Sequence, residues 1–138
     1  MAIILDHTIV PARDKVASAK FFADLFGLKY EGEFGPFAPV RVNESLTMDF
    51  DERWGDSQVH HYAFHVSDAD FDSIFGRVKS RGLKYGSGPY SQSDMKIREF
   101  NGGRTVYFQD LNGHVLEIRT NTSANDIAAM RSGARRAS

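Results

Sequence analysis

A four-residue string that occurs twice in this chain constrains its fold more than any other feature. Residues 27–30 read Gly-Leu-Lys-Tyr, and residues 82–85 repeat the same letters. Each copy follows a stretch whose apolar residues recur at the spacing of an amphipathic helix. Such a repeat predicts two copies of one small module. One copy alone would bury too little apolar surface to fold, so the two are expected to pack as one domain.

The first module, about residues 1–55, is expected to place one helix after its first strand. Residues 3–10 predict that strand because β-branched side chains are frequent there. Asp14 is a candidate N-cap for the helix, although Pro11 could mark an earlier start, and Gly27 is placed to end it. The apolar stripe of the helix consists of Val16, Ala19, Phe22, Ala23 and Phe26. Three further strands are predicted at residues 28–34, 39–43 and 46–51.

The second module, about residues 58–121, repeats the same order of elements. Residues 60–66 alternate polar and apolar side chains and predict its first strand. Either Asp68 or Asp70 could cap the helix, which would end at Gly82. The apolar stripe of this helix consists of Phe71, Ile74, Phe75 and Val78. Three further strands are predicted at residues 83–85, 104–109 and 114–120.

This order of elements predicts an α+β fold with two tandem βαβββ modules that form a curved mixed sheet. Residues 1–121 would make up a single domain. The long polar segment 86–103 has the length of a lid or a binding loop. Residues 122–138 lie outside the repeat and predict a short helix at 124–130, followed by a frayed basic tail.

The composition excludes several classes of function. The chain has no cysteine, which rules out disulfides, thiolate–zinc sites and cysteine nucleophiles. Its net charge of −1 gives no reason to expect nucleic-acid binding. No apolar run is long enough to span a membrane, and the first residues do not resemble a signal peptide. The expected location is therefore the cytoplasm.

Three of the predicted strands carry the histidines and the glutamate that are candidate metal ligands. Within residues 60–66, His61 and His65 fall on the face opposite the large apolar side chains. His7 lies inside the first strand, and Glu117 stands between two apolar neighbours, so its carboxylate points away from their face. If the strands share a sheet, His7, His61 and Glu117 can converge. Two neutral imidazoles and one carboxylate suit Mn, Fe(II), Co, Ni or Zn and leave positions open for a substrate.

The most specific motif covers residues 107–117, which read Tyr-Phe-Gln-Asp-Leu-Asn-Gly-His-Val-Leu-Glu. It resembles the strand, Asp-x-x-Gly turn and Glu-bearing strand of the vicinal oxygen chelate superfamily. Residues 61–64, which read His-Tyr-Ala-Phe, are most similar to the fosfomycin-resistance branch. The resemblance covers roughly residues 3–121 and implies the fold shared by glyoxalases, bleomycin-resistance proteins and ring-cleaving dioxygenases.

The resemblance implies a divalent metal held on a concave sheet by His7, His61 and Glu117. A small-molecule substrate would chelate this metal through two neighbouring oxygens. The superfamily also implies a homodimer. In members whose modules swap between chains, His7 would come from one chain, and His61 and Glu117 from the other.

Some positions depart from particular branches of the superfamily. Thr47 stands where glyoxalase I has a fourth ligand, a glutamate, and Asp49 is the next residue on that face. Residues 98–103 lack the acid–base histidine of ring-cleaving dioxygenases, although Tyr107 is retained and His65 could serve as a substitute base. Residues 99–104 differ in length and content from the potassium-binding loop of the fosfomycin enzymes.

Six further residues are candidates for the chemistry. The catalytic candidates are His65, Tyr107 and Asp49. The candidates for substrate binding are Thr47, Arg119 and Trp54. Arg119 shares the inward phase of Glu117 and could bind an anionic group or form a salt bridge at the rim. Trp54 could wall a cavity, pack in the core or lie in a dimer interface. His114 is expected to face solvent, and His60 to be structural or exposed.

Two functions are compatible with these residues. The first is a small metal-dependent enzyme that carries out isomerisation or lyase chemistry, opening of an epoxide by a nucleophile, or oxygenation. The second is a non-catalytic protein of the bleomycin-resistance type that sequesters an aromatic or antibiotic ligand. Members of that branch generally lack the metal-ligand triad, and because this chain keeps it, the enzyme is favoured.

Overall fold

The computed structural model describes residues 2–54 and 58–137, with side chains as far as residue 133. The chain divides into two compact units, which are described one at a time. The first consists of Met1–His61 with Gln109–Val115, and the second of Tyr62–Phe108 with Leu116–Ser138. No described helix is long and apolar enough to cross a membrane.

The first unit contains a three-stranded sheet covered by one helix. Its elements are β1 (His7–Pro11), α1 (Lys15–Phe26), β2 (Phe37–Arg41), β3 (Thr47–Asp51) and a 3₁₀ turn (Glu52–Trp54). The strand order is β1–β3–β2, with β1 parallel and β2 antiparallel to β3. Alternate strand residues are buried: Val10, Ala38, Val40, Met48 and Phe50. The opposite face of this sheet therefore carries His7, Thr47 and Asp49.

Both predicted ends of α1 are confirmed. The side chain of Asp14 accepts a hydrogen bond from the Ala17 N–H at 3.0 Å, which satisfies one donor of the first turn. Gly27 adopts a left-handed conformation with φ of 69°, and its N–H bonds to the Ala23 carbonyl.

Three strand predictions in the first unit are wrong in part. The first strand begins at His7 rather than at residue 3, because its partner β3 begins only at Thr47. Residues 28–34 form isolated bridges rather than a strand, and Gly32, with φ of 102°, interrupts the extended backbone there. The strand predicted at 39–43 ends at Arg41, since the Asn43 side chain accepts hydrogen bonds from two backbone N–H groups in the next turn.

The second unit contains most of a larger sheet and two helices. Its elements are β4 (His61–His65), α2 (Asp68–Ser80), β5 (Tyr85–Gly86), β6 (Arg98–Phe100), β7 (Gly103–Gln109), β8 (Val115–Arg119) and α3 (Ser123–Ala137). The strand order is β4–β8–β7–β5, with β6 paired to β7. The alternation predicted for β4 is confirmed: His61, Ala63 and His65 are exposed, whereas Tyr62 and Phe64 are half-buried.

Helix α2 buries the predicted stripe, but neither predicted aspartate caps it. The N-cap is Ser67, whose hydroxyl accepts a hydrogen bond from the Asp70 N–H at 3.1 Å. Asp68 and Asp70 lie in the first turn, where their charges interact favourably with the helix dipole. The helix ends at Ser80, and Gly82, with φ of 67°, follows the C-cap residue Arg81.

Two predictions about irregular segments are also wrong. The segment 86–103 contains a strand, β6, which pairs with β7 through a turn at Asn101 and Gly102, both of positive φ. The C-terminal helix extends to Ala137 and not to residue 130, so the basic tail is helical as far as the structure describes it. The Thr122 hydroxyl accepts the Asn125 N–H at the start of α3, and alanine and arginine favour the helix beyond.

Candidate functional site

His7 and two of the candidate polar residues lie together on the open face of the first unit. The register of β1 against β3 sets His7 opposite Thr47 and Ile9 opposite Asp49. The Thr47 hydroxyl accepts a hydrogen bond of 3.2 Å from Arg41. The His7 Nδ1 lies 2.7 Å from a carboxylate oxygen of Asp6.

The electrostatics of this face couple His7 to its acidic neighbours. The hydrogen bond to Asp6 raises the pKa of His7, partial desolvation opposes this, and the charge of Asp49 adds to it. Desolvation raises the pKa of the Asp49 carboxyl, and the nearby His7 lowers it in part. Asp6 was not among the sequence candidates, although its place immediately before His7 was a signal that could have identified it.

Glu117 lies in the second unit, nearly buried, in a cluster of polar side chains. Its Oε2 accepts a hydrogen bond of 3.4 Å from Arg119 Nη1, and the Tyr107 hydroxyl also bonds to its carboxylate. Burial raises the pKa of Tyr107, the charge of Glu117 raises it further, and Arg98 and Arg119 lower it in part. The ring of Tyr107 therefore faces Glu117, a point that the sequence leaves open.

Arg119 is engaged by carboxylates on both sides. Its Nη1 contacts Glu117, its Nη2 contacts the carboxylate of Asp126, and its Nε donates to the Asn121 carbonyl at 2.8 Å. The sequence allowed Arg119 either to bind an anionic group or to form a salt bridge at the rim. The salt bridges are present, but the side chains of Arg119, Glu117 and Asp126 are four-fifths or more buried and do not lie at a rim. Asp126 was missed because it lies in α3, outside the repeat.

The remaining candidates lie on exposed surfaces. The His65 Nε2 is 3.1 Å from the Thr120 carbonyl, to which it donates. The Trp54 indole N–H donates to Asp51 at 3.1 Å, and Arg53 binds the same buried carboxylate. Trp54 is 55% exposed beside an open hollow of about 320 Å³, so the core-packing interpretation of this residue is wrong.

The prediction that His114 faces solvent is wrong. Its ring is fully buried in the first unit, where Nδ1 accepts the His60 N–H at 2.9 Å and Nε2 donates to the Pro11 carbonyl at 2.6 Å. The turn from residue 110 to 114 directs the ring inward, because Asp110 accepts N–H groups of Asn112 and His114.

No complete metal site is present among the residues that the structure describes. Within 2–54 and 58–133, no group of three or more histidine, aspartate and glutamate side chains could hold a metal ion together. His7 belongs to the first unit and Glu117 to the second. The convergence of His7, His61 and Glu117 stays a prediction.

The fold and the motifs agree with a known family. The family model of the Glyoxalase/Bleomycin resistance protein/Dioxygenase superfamily matches residues 4–118. The chain belongs to this superfamily, which confirms both the resemblance inferred from residues 107–117 and the predicted α+β fold class.

Three proteins of this kind are similar to the chain over more than half of its length. A solved structure titled Oxidase ChaP-H2 is 46% identical, covers 88% of this chain and 96% of its own length, and has a TM-score of 0.83. The Glutathione transferase FosA of Serratia marcescens is 26% identical over 92% of this chain and 87% of that protein. The Metallothiol transferase FosB of Shouchella clausii is 27% identical over 61% of this chain and 53% of that protein.

Proposed function

We propose that this chain is a metal-dependent oxidase that acts on a small molecule with two neighbouring oxygens. The observation that carries this proposal is the 46% identity, over 88% of the chain, to a structure titled as an oxidase. The relatives named as transferases are only 26% and 27% identical. The absence of a cysteine leaves histidine, aspartate and glutamate as the ligands for a catalytic metal.

The proposed metal ligands are His7, His61 and Glu117. Two imidazoles and one carboxylate form the facial set of non-haem iron(II) oxygenases, so iron(II) is the metal that we propose. When bound, it would supply a Lewis acid and a one-electron redox centre. Asp6 engages Nδ1 of His7, which leaves Nε2 to face a metal, and such carboxylate–histidine pairs orient metal ligands.

The protein residues around these ligands would bind the substrate and handle its protons. The Tyr107 hydroxyl donates its one proton to Glu117, so its oxygen would accept a hydrogen bond from a substrate hydroxyl. Asp49 and His65 are the proposed proton acceptors. Thr47 and Trp54 would contact the substrate, and Arg119 would bind an anionic group on it.

We also propose a homodimer in which each site is completed by two chains. Glu117 lies in β8, next to the strand that begins with His61, so these two ligands would come from one chain. His7 would come from the partner. Exposed apolar side chains before β1 support an interface there, namely Ile3, Ile4 and Leu5, which are 64–88% exposed.

The experiment that tests the proposal measures metal content and oxygen uptake together. Chelated protein is reloaded with iron(II) without oxygen, and its metal content is compared between wild type, His61→Ala and the matched control His60→Ala. We expect near-stoichiometric metal in wild type and His60→Ala, loss in His61→Ala, and oxygen uptake with catechol-type substrates only where metal is bound.

Two outcomes would contradict this proposal. Metal retained in His61→Ala would remove that residue from the ligand set. Failure of the wild type to bind iron(II), manganese, nickel or zinc, together with tight binding of an aromatic ligand, would instead support a non-catalytic binding protein.

Thiol transfer is the second candidate, favoured by the 92% coverage of this chain in the match to a glutathione transferase. In that reaction the glutathione thiolate would attack an epoxide carbon of fosfomycin, the C–O bond would break, and the oxygen would take up a proton. Mass spectrometry of fosfomycin and glutathione incubated with metal-loaded protein separates the candidates. The oxidase proposal predicts no adduct above the uncatalysed background.

A further inference from the structure

A carboxylate from α3 occupies the polar cavity beside Glu117 in the second unit. Asp126 contacts Arg119 through one oxygen, and both side chains are about four-fifths buried. Its other oxygen, Oδ1, is buried and has no hydrogen-bond partner among the described residues. A buried polar atom without a partner is costly, so the carboxylate is held less favourably than a fully paired one would be.

The cavity is too small for a substrate while α3 is in place. It measures about 50 Å³ and is lined by Arg98, Tyr107 and Arg119 as well as by the two carboxylates. A water molecule occupies about 30 Å³, so this volume is of the size of a few water molecules and not of a small-molecule substrate. A substrate that reaches Glu117 through this cavity must displace the side chain from α3.

The charges of the cavity favour an anion once Asp126 has left. Among its described lining residues, Arg98 and Arg119 are positive, and Glu117 and Asp126 are negative. Loss of Asp126 leaves one uncompensated guanidinium beside the hydroxyl of Tyr107. An arginine fork recognises a carboxylate through two parallel hydrogen bonds.

Helix α3 keeps apolar side chains in solvent, which makes its displacement inexpensive. Ile127 is 46% exposed and Met130 is 67% exposed. Segments with little buried apolar surface are the ones that open at low free-energy cost.

We propose that α3 is an autoinhibitory lid and that Asp126 occupies the binding position of a carboxylate on the substrate. A substrate carboxylate would replace Asp126 on Arg119, and α3 would then leave the cavity. The inference rests on the proposed function in one respect, namely that the chain acts on a small molecule. It adds that this molecule carries a carboxylate.

The test is a binding measurement on chelated protein with benzoate as the probe. Asp126→Asn removes the competing charge, and Asp24→Asn, an exposed site on α1, makes the same change in net charge. Calorimetry should show that Asp126→Asn binds benzoate about tenfold more tightly than wild type, a difference typical of one charged contact. Asp24→Asn should bind as wild type does, and Arg119→Gln combined with Asp126→Asn should lose the gain.

Two further readouts separate the lid from a general loosening of the structure. Benzamide, the uncharged analogue, should bind Asp126→Asn no better than wild type. Benzoate should speed hydrogen exchange of the α3 amides in wild type, whereas sodium chloride at the same ionic strength should not.

The proposal is overturned if Asp126→Asn gains no affinity for benzoate, if benzamide gains equally, or if benzoate leaves the exchange of α3 unchanged. None of these measurements uses metal or turnover. The lid proposal can therefore hold even if the chain is not an oxidase, and it can be overturned even if the chain is one.

Discussion

At the scale of single residues, His114 holds three segments of the first unit together. Its two ring nitrogens satisfy the backbone of His60, which precedes β4, and of Pro11, which ends β1. Both bonds fix the neutral tautomer that carries its proton on Nε2, because Nδ1 must accept. The nearby Asn112 is also buried, and its side chain donates a hydrogen bond to Ser18 in α1. The Asp-x-x-Gly turn, residues 110–113, together with His114 therefore connects β1, α1 and the segment before β4.

We predict a graded loss of stability when this ring is shortened. His114→Ala leaves the His60 N–H and the Pro11 carbonyl without their partners and should lower the free energy of unfolding by about 2–4 kcal/mol. His114→Asn keeps an acceptor near the position of Nδ1 and should lose less. Urea unfolding followed by circular dichroism measures both, and equal stability of His114→Ala and wild type would contradict the assignment.

A second prediction at this scale concerns the pH dependence of Asp51. The hydrogen bond from Arg53 is the main cause that holds the pKa of this carboxyl below its ordinary value of 3.8. A carboxyl whose folded-state pKa is depressed stabilises the fold above the unfolded value and loses this contribution as pH falls through the folded value. The stability advantage of wild type over Asp51→Asn should therefore shrink below pH 3.8.

Trp54, the only tryptophan, reports this titration directly because its indole bonds to Asp51. In a pH titration of wild type, the Trp54 fluorescence should change with a midpoint below pH 3.8. The change should be absent in Asp51→Asn. A midpoint at or above 3.8 would contradict the depressed pKa.

At the scale of elements, close backbone approach decides where β5 can lie. A Cβ added to Gly86 would stand 1.8 Å from the Ser91 carbonyl oxygen and 2.5 Å from the backbone of Gln92. Backbone atoms cannot move aside as the end of a flexible side chain can. The segment after β5 therefore folds over Gly86 only because this residue has no side chain, which is a typical use of glycine.

We predict that Gly86→Ala destabilises the second unit by about 2 kcal/mol or more, through this overlap with the backbone. Gly88→Ala is the matched control, because a Cβ at that position meets nothing within 4 Å. Thermal unfolding of the two variants measures the difference. A Gly86→Ala variant as stable as Gly88→Ala would show that the segment can move away freely.

At the scale of the whole molecule, the proposed dimer makes a prediction about mixed subunits. If His7 serves a site in the partner, a dimer of one His7→Ala chain and one Glu117→Ala chain contains one complete ligand set. Random mixing would then restore metal binding at about a quarter of all sites, whereas neither variant alone binds.

The control for this experiment mixes His61→Ala with Glu117→Ala. Both residues are proposed to come from the same chain, so no mixed dimer of these two variants holds a complete set, and metal binding should stay absent. Metal restored in this control, or absent from the first mixture, would contradict the shared site.

The sequence by itself determined the features that depend on residues near one another along the chain. The cap at Asp14, the helix end at Gly27 and the alternation of β4 follow from local backbone geometry and from a period of two in the side chains. The motif of residues 107–117 placed the chain in its superfamily because the turn and the strand after it are contiguous.

Only the tertiary structure decided the contacts between distant segments. The burial of His114 depends on Pro11, more than a hundred residues earlier, and the place of Asp126 beside Arg119 depends on how α3 folds back. No local pattern records either contact, because a side chain at a turn or on a helix can face solvent or a partner with the same sequence around it. The packing of the remote segment decides whether the side chain is buried or faces solvent, since most buried polar side chains are held by a partner.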